Sequence, residues 1–236
     1  MATKFLICAT ALFLRASSAK PVGRMSLAER QDACEAVHVF IARGSTEPYP
    51  GSQLALVEGI CEGTSGCGYE DIIYPATLEN YCISAGTGVS NGIAQIKAYS
   101  EACPDSSLVL TGYSQGAHVI GDILGGGGGL FADCTQAGVE GLSPDEAPGN
   151  KIIATFFGDV RHVGNQTYNT GTGASANGIY PRTDAQMASL NRFSQQIRSW
   201  CFAEDPVCAL GLNPVMHLAY FDESIDEAAA WVKSQL

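Results

Sequence analysis

Gly112-Tyr113-Ser114-Gln115-Gly116 is the stretch of this sequence best suited to nucleophilic chemistry. The pattern G-x-S-x-G is weak by itself, but here it has a context. Before it lies Ser107-Leu108-Val109-Leu110-Thr111, an apolar run of strand length, and after it Ala117-His118-Val119-Ile120, which reads as the first turns of a helix. A strand that turns straight into a helix holds its apex residue in a strained backbone geometry, with the serine oxygen clear at the end of a sheet. Glycine two positions before and two after leaves room for the crossing backbones. The helix opening at Gln115 aims unpaired N–H groups at that oxygen, which favours the negative charge that develops in acyl transfer. Without strand and helix, the same residues would be a glycine-rich turn with an exposed serine.

A serine hydroxyl needs a base, and the base needs an orienting acid; on a strand–turn–helix elbow the chain order is serine, acid, histidine. Of the four histidines, His38 lies within an apolar run and reads as a core or edge residue. His118 is one turn along the elbow helix and points away from the serine oxygen. His162 follows Asp159 by three residues, too tight a segment to bring the two side chains in from separate positions. His217 lies beyond Asp205 with a long loop between them, and this pair is preferred. Cys201 and Cys208 bracket Asp205, so a bridge between them would clamp the carboxylate's loop, and a rigid support keeps an orienting group from drifting. Glu204 is the fallback acid. In this scheme Ser114 attacks an ester carbonyl, His217 carries the proton to the leaving alcohol, and Asp205 fixes the imidazole tautomer. The Gln115 backbone N–H would hold the oxyanion.

The elements that position these groups alternate along the chain. Ala36–Ala42 reads as the first strand, ending in the polar loop Arg43-Gly44-Ser45-Thr46-Glu47-Pro48. A loop at the carboxyl end of a parallel strand is where α/β folds place ligand contacts, which makes Ser45 a second candidate donor to the oxyanion. Leu54, Leu56, Val57 and Ile60 mark a helix, Ile72-Ile73-Tyr74 a short strand, and Val89, Ile93, Ile96 and Tyr99 a longer helix ending near Cys103-Pro104. Gly125 to Gly129 lacks the lysine and hydroxyl residue of a phosphate loop and reads as a flexible segment. Residues 151–158 form a further strand, Ala185 to Ile197 a helix, and Arg198-Ser199-Trp200-Cys201-Phe202 the last strand, with Trp200 in the core. Ser224 with Glu227 forms a capping-box pattern for the final helix. Alternating strands and helices predict an α/β fold: a three-layer sandwich, its mostly parallel sheet of about five strands covered by helices on both faces.

Composition limits the partners. The 236 residues carry a net charge of −11 and a pI near 4.7, so nucleic acid and anionic membranes would repel the chain. Lys4, the apolar run Phe5–Leu14 and Ser17-Ser18-Ala19 have the three zones of a secretory leader, cleaved after Ala19. The apolar stretch falls well short of the roughly 20 residues that span a bilayer. The expected division is a leader at 1–19, a polar lead-in at 20–33 and one catalytic domain at 34–236. Nine cysteines are present, and loss of the leader with Cys8 leaves an even number, as expected of a disulfide-bonded secreted chain. None of the histidines sits beside a cysteine cluster, so no metal is expected. Cys34 and Cys103 each precede a strand, and if these strands are parallel neighbours a bridge between them is geometrically cheap. Asn165-Gln166-Thr167 is an N-glycosylation sequon.

Assembled, these residues resemble the cutinase and acetylxylan esterase family of secreted fungal serine esterases. The resemblance rests on Ala42-Arg43-Gly44-Ser45-Thr46-Glu47, the elbow, Cys201 to Cys208 around Asp205, and His217-Leu218-Ala219-Tyr220. It implies an α/β-hydrolase fold with no lid and no cofactor, a triad of Ser114, Asp205 and His217, an oxyanion hole that includes Ser45, and bridges Cys34–Cys103 and Cys201–Cys208. For the remaining cysteines the expected pairs are Cys61–Cys67 and Cys82–Cys134, among three possible arrangements. The expected partner is an ester of a plant cell-wall polymer, acetylated xylan or cutin, met by a monomer. Ile73-Tyr74-Pro75-Ala76 resembles the acetylxylan esterase side and Arg43–Glu47 the cutinase side, and both stay open. In the loop before His217, Leu210, Leu212, Val215 and Met216 are candidate contacts for the substrate's acyl chain. A secreted binding protein that kept the fold without turnover is the competing class.

Overall fold

A computed structural model of the chain describes residues 34–131 and 133–236; the expected leader and lead-in lie outside the described residues. The elements in order are β1 (Val37–Ala42), α1 (Leu54–Cys61), β2 (Cys67–Asp71), α2 (Tyr81–Ala102), β3 (Ser107–Tyr113), α3 (Gln115–Gly125), β4 (Gly127–Phe131), β5 (Cys134–Val139), β6 (Ile152–Phe157), β7 (Asn169–Thr170), α4 (Asp184–Leu190), β8 (Ile197–Trp200), α5 (Pro214–Leu218), α6 (Tyr220–Glu223) and α7 (Ile225–Gln235).

Six strands pair in the order β2-β1-β3-β6-β8-β7, every pairing parallel. Side chains along β1 alternate between two cores, as period-two geometry requires. Val37, Val39 and Ile41 pack with Leu56, Val57 and Ile60 of α1 and with Ala228 and Val232 of α7. Phe40 and Ala42 pack on the other face with Val89 and Ile96 of α2 and Val119 and Ile123 of α3. Strands buried on both faces read as continuous apolar runs, which is why β1, β3 and β6 were visible in the sequence.

Elsewhere the expected elements shift. The second strand is not Ile72-Ile73-Tyr74 but Cys67–Asp71. It is a partly exposed edge strand with no apolar run to announce it, while Ile72 and Tyr74 just beyond it turn into the core. The glycine run is no flexible loop: Gly127–Phe131 pairs antiparallel with Cys134–Val139. A Cβ on Gly128 would lie 2.6 Å from the Gly138 Cα, so glycine here serves close approach. The helix expected to reach Ile197 stops at Leu190, and Ile197 already belongs to β8. Its start is fixed by a reciprocal capping box between Thr183 and Gln186. Ser224 and Glu227 form no such box; the Ser224 side chain makes no cap bond, and the Glu227 carboxylate accepts from the Trp200 indole at 3.3 Å. The sheet gains a sixth strand only through the two residues of β7.

Four disulfides join Cys34–Cys103, Cys61–Cys67, Cys82–Cys134 and Cys201–Cys208, the expected pairs. Cys34–Cys103 links the approaches to β1 and β3 at the sheet end opposite the elbow, and it closes a loop with a sequence separation of 69. Closing a loop of that length restricts the unfolded chain strongly. Replacing both cysteines by alanine is expected to lower stability by about 2–5 kcal/mol, read as a fall in the denaturant midpoint at unchanged native circular dichroism.

Candidate active site

The site sits at the carboxyl ends of β1, β3 and β6. Ser114, between β3 and α3, has φ 56° and ψ −118°, a conformation that costs of the order of 1–3 kcal/mol for a residue with a side chain. Its N–H donates to the Phe157 carbonyl at 2.8 Å. The flanking glycines are sterically required. A Cβ on Gly116 would stand 1.8 Å from the Ala42 carbonyl oxygen, and one on Gly112 would stand 2.5 Å from that of Gly116.

From Ser114 a continuous chain of hydrogen bonds runs inward. The serine Oγ lies 2.9 Å from His217 Nε2. His217 Nδ1 lies 2.9 and 3.0 Å from the two oxygens of Asp205. Asp205 is fully buried, and it also accepts from the Tyr220 hydroxyl at 2.6 Å and from the Val207 N–H at 2.7 Å. Burial alone would raise its carboxyl, but the bonds from His217, Tyr220 and Val207 outweigh it and hold the group below the usual carboxylate range. An ionised Asp205 accepts only, so His217 Nδ1 carries the proton and Nε2 offers its lone pair to the serine hydroxyl.

The supports of this chain come from four directions. The Cys201–Cys208 bridge closes the loop that carries Asp205. Asn213 caps α5 by accepting the Val215 N–H, and Pro214 opens that helix, so His217 sits on a short rigid turn. The Tyr113 hydroxyl donates to the His217 carbonyl at 2.7 Å. Gly158 has φ +58°, and a Cβ there would lie 2.8 Å from His217 Cε1, so only glycine leaves room for the imidazole.

Across the serine, the Arg43–Glu47 loop is held at both ends. Arg43 reaches Asp71 at 3.0 Å, the Tyr74 carbonyl at 2.8 Å and the Glu47 carbonyl at 2.8 Å. The Gly44 N–H donates to the Glu47 carboxylate at 2.7 Å. Ser45 is thereby set on the wall of the cavity that also contains Ser114. Gln115, fully buried, opens α3, and its side chain is fixed by Ser84 at 3.3 Å and the Thr77 carbonyl at 3.1 Å. The backbone N–H groups of the first turn of α3 have no partner within the helix and face the serine side.

That cavity holds about 300 Å³, and its apolar wall is Leu78, Tyr81, Phe131, Val160, Ile179 and Val207. The four loop residues expected to meet an acyl chain are not part of this wall. Leu210, Leu212 and Val215 are instead exposed, Leu212 at 91%, and Met216 is half-buried on α5 beside them. Leu212 and Val215 therefore do not pack inward.

The remaining candidates are used elsewhere. His38 stacks on Tyr99 and bonds Glu35. His118 is sealed between Tyr81 and Asp122. His162 contacts Ser199 and Asn169, while Asp159 pairs with Arg182. Glu204 is exposed and so is Asn165. Tyr113, Gly158 and Tyr220 had no role in the sequence reading, although Tyr113 and Tyr220 lie in its motifs; the three-residue step from His217 to Tyr220, one helical turn, was the available signal for the last. Among the described residues no group of three or more His, Cys, Asp or Glu could hold a metal ion, and no helix is long and apolar enough to cross a membrane.

The family model described as Cutinase matches residues 33–236. An acetylxylan esterase of Hypocrea jecorina is 34% identical over 230 residues, covering 93% of this chain and 73% of that protein. Cutinase 11 of Verticillium dahliae is 30% identical, covering 91% of this chain and 73% of that one. The solved catalytic core domain of acetyl xylan esterase from Trichoderma reesei superposes with a TM-score of 0.73 at 32% identity, covering 86% of this chain and all of that one. With a family match across every described residue and relatives on both of its branches, this chain belongs to the cutinase family and is a carboxylic-ester hydrolase.

Proposed function

We propose that this protein is a secreted serine esterase that cleaves esters of plant cell-wall polymers through an acyl-enzyme formed on Ser114. The observation that carries this reading is the unbroken relay from Ser114 through His217 to buried Asp205, every contact at 2.9–3.0 Å. As the serine oxygen attacks the ester carbonyl, its proton passes to His217 Nε2, and the ionised Asp205 stabilises the imidazolium that forms. The carbonyl oxygen becomes an oxyanion between the Gln115 N–H and Ser45, and loss of one such donor costs roughly a hundredfold in rate. Collapse of the intermediate breaks the bond to the alcohol, which takes the proton from Nε2. Water then repeats the sequence on the acyl-serine and releases the acid, with no cofactor.

The relatives' names and the surface support the substrate class. Acetylated xylan is the first candidate, because the relatives that are 34% and 32% identical over most of this chain are named acetylxylan esterases. Cutin is the second, favoured by the exposed Leu210, Leu212 and Val215 beside the histidine, which with Met216 would rest on a waxy polymer. The net charge of −11 suits a neutral polymer. Secretion agrees with the four disulfides, and a glycan at Asn165 would be placed on an exposed turn. The enzyme is proposed to act as a monomer.

A fluorophosphonate probe is expected to label the folded protein at Ser114, and Ser114→Ala to abolish labelling and lower kcat by roughly a millionfold. Folded protein that stays unlabelled would return the chain to the binding-protein class. On p-nitrophenyl esters from acetate to palmitate, a maximum at acetate together with acetate release from acetylated xylan selects the first substrate, and a maximum at butyrate or longer without that release selects the second. Tyr220→Phe removes one donor from Asp205 and is expected to lower kcat about tenfold with little change in KM, within the range for hydrogen bonds to charged groups. The Asp205 carboxyl ionises below its ordinary value of 3.8 in the native state. Its stabilising effect is thus complete above about pH 4 and lost as pH falls through the native value. In the variant that native value rises, so acid unfolding, followed by circular dichroism, begins at a higher pH.

A further inference from the structure

A second histidine–carboxylate pair lies directly behind the cavity, with no part in the relay from Ser114. Asp122, fully buried on α3, lies 3.0 Å from His118 Nε2, 2.8 Å from Arg161 Nη1 and 3.1 Å from Gln136 Nε2. His118 is equally buried, and its Nδ1 lies 2.9 Å from the Tyr81 hydroxyl. Tyr81 in turn is part of the cavity wall that contains Ser114.

Charge balance fixes the direction of these bonds. Asp122 and Asp159 are matched by Arg161 and Arg182, all four buried and in contact. A proton on His118 would add an uncompensated buried cation. His118 is therefore neutral, and because the ionised Asp122 only accepts, the imidazole proton is on Nε2. Nδ1 is then a lone pair, and Tyr81 must donate to it. Burial and the charges of Asp159 and Asp122 push the Tyr81 phenol well up, so it keeps the proton it donates. With its only proton committed, the Tyr81 oxygen has acceptor capacity left and no donor; among the described residues no other group bonds to it.

We propose that Tyr81 is a specificity-determining residue whose oxygen accepts a hydrogen bond from a hydroxyl of the bound ester, so that the cavity prefers hydroxylated substrates over their deoxy counterparts. The proposal rests on the serine-esterase reading of the site. The hydroxyl could lie on the acyl group, as in a hydroxy acid, or on the alcohol, as in a polyol or sugar. Asp133, exposed at the hairpin turn, is the rival acceptor on the same wall.

Two matched pairs separate these sources: p-nitrophenyl 3-hydroxybutyrate against butyrate, and glycerol monoacetate against propyl acetate. For each pair the ratio of kcat/KM is measured in the wild type, Tyr81→Phe and Asp133→Asn, which cancels intrinsic differences between esters. The expected result is a ratio that falls about three- to tenfold in Tyr81→Phe, the size of one neutral hydrogen bond, in at least one pair, while Asp133→Asn keeps the wild-type ratio. The pair that responds names the side of the ester. A ratio unchanged in Tyr81→Phe for both pairs, or lost in Asp133→Asn instead, overturns the proposal. So does a wild type with no preference in either pair, a result that needs no folded variant. Hydrolysis of both members at equal rates leaves the esterase reading intact and removes only this inference, whereas hydrolysis of no ester removes both.

Discussion

The Ala42 carbonyl oxygen occupies the space that a side chain on Gly116 would need, at 1.8 Å from the hypothetical Cβ. This approach of α3 to the end of β1 sets the geometry of the site. β1 and β3 are in register with Ala42 opposite Gly112, so the strand ends come level and the loop after β1 emerges beside the serine. The first turn of α3 can then meet Ser45 across the space where an oxyanion would form. The strain on Ser114 is carried by this packing: its backbone is pinned by the Phe157 carbonyl on one side and by the crossing of Gly112 under Gly116 on the other. The sheet therefore fixes the Ser114 backbone, with no help from the segments that carry Asp205 and His217.

Two histidine–carboxylate pairs, one within a turn of α3 and the other between α5 and the disulfide-closed loop, have opposite electrostatics. Asp122 is already matched by Arg161 and Arg182, so a proton arriving on His118 finds no uncompensated negative charge. Asp205 pairs with no arginine or lysine among the described residues; its one ion-pair partner there is His217. A positive charge developing on His217 is thus the charge that Asp205 lacks, while His217 keeps one edge open, with 14% of its side chain exposed against none for His118. The same three groups in a row, hydroxyl, imidazole and carboxylate, leave room for a developing positive charge in one place and make a fixed hydrogen-bond relay in the other. What decides is the number of buried cations around the carboxylate.

What could be read from the sequence follows burial. β1, β3 and β6 lie between two helical layers and had to be apolar throughout, so each stood out, and the elbow was legible because its glycines answer a steric demand. The pairing of His217 with Asp205, which the structure brings within 2.9 Å, was read from chain order and the bracketing cysteines. β2 escaped because an edge strand needs no apolar face: Gly68, Glu70 and Asp71 serve as well as valines there. The β4–β5 hairpin escaped because a run of glycine has no period of any kind, and its strand is defined by pairing with a partner that also lacks a pattern. The acyl-contact residues were sought near His217 in sequence, whereas the cavity wall draws on the start of α2, the hairpin and the segment before α4, which only the tertiary fold brings together.

That division has a physical consequence for how such a site can vary. Ser114 stands at a strand end, Asp205 on a disulfide-closed loop and His217 on α5, but the cavity wall opposite them is the hairpin, an addition outside the main sheet that is tied to α2 by Cys82–Cys134. Phe131 at its tip packs against Tyr81, His118 and Tyr180, with the Arg161 guanidinium 4.9 Å above its ring. The wall is thus anchored to the buried charge cluster rather than to the nucleophile. A change in the hairpin or in Tyr81 alters the size and polarity of the cavity without moving Ser114, whose position the β1–β3 register and the two elbow glycines already determine. Ser114 and the cavity wall are held by different contacts, and only the first of them depends on the crossing at Ala42.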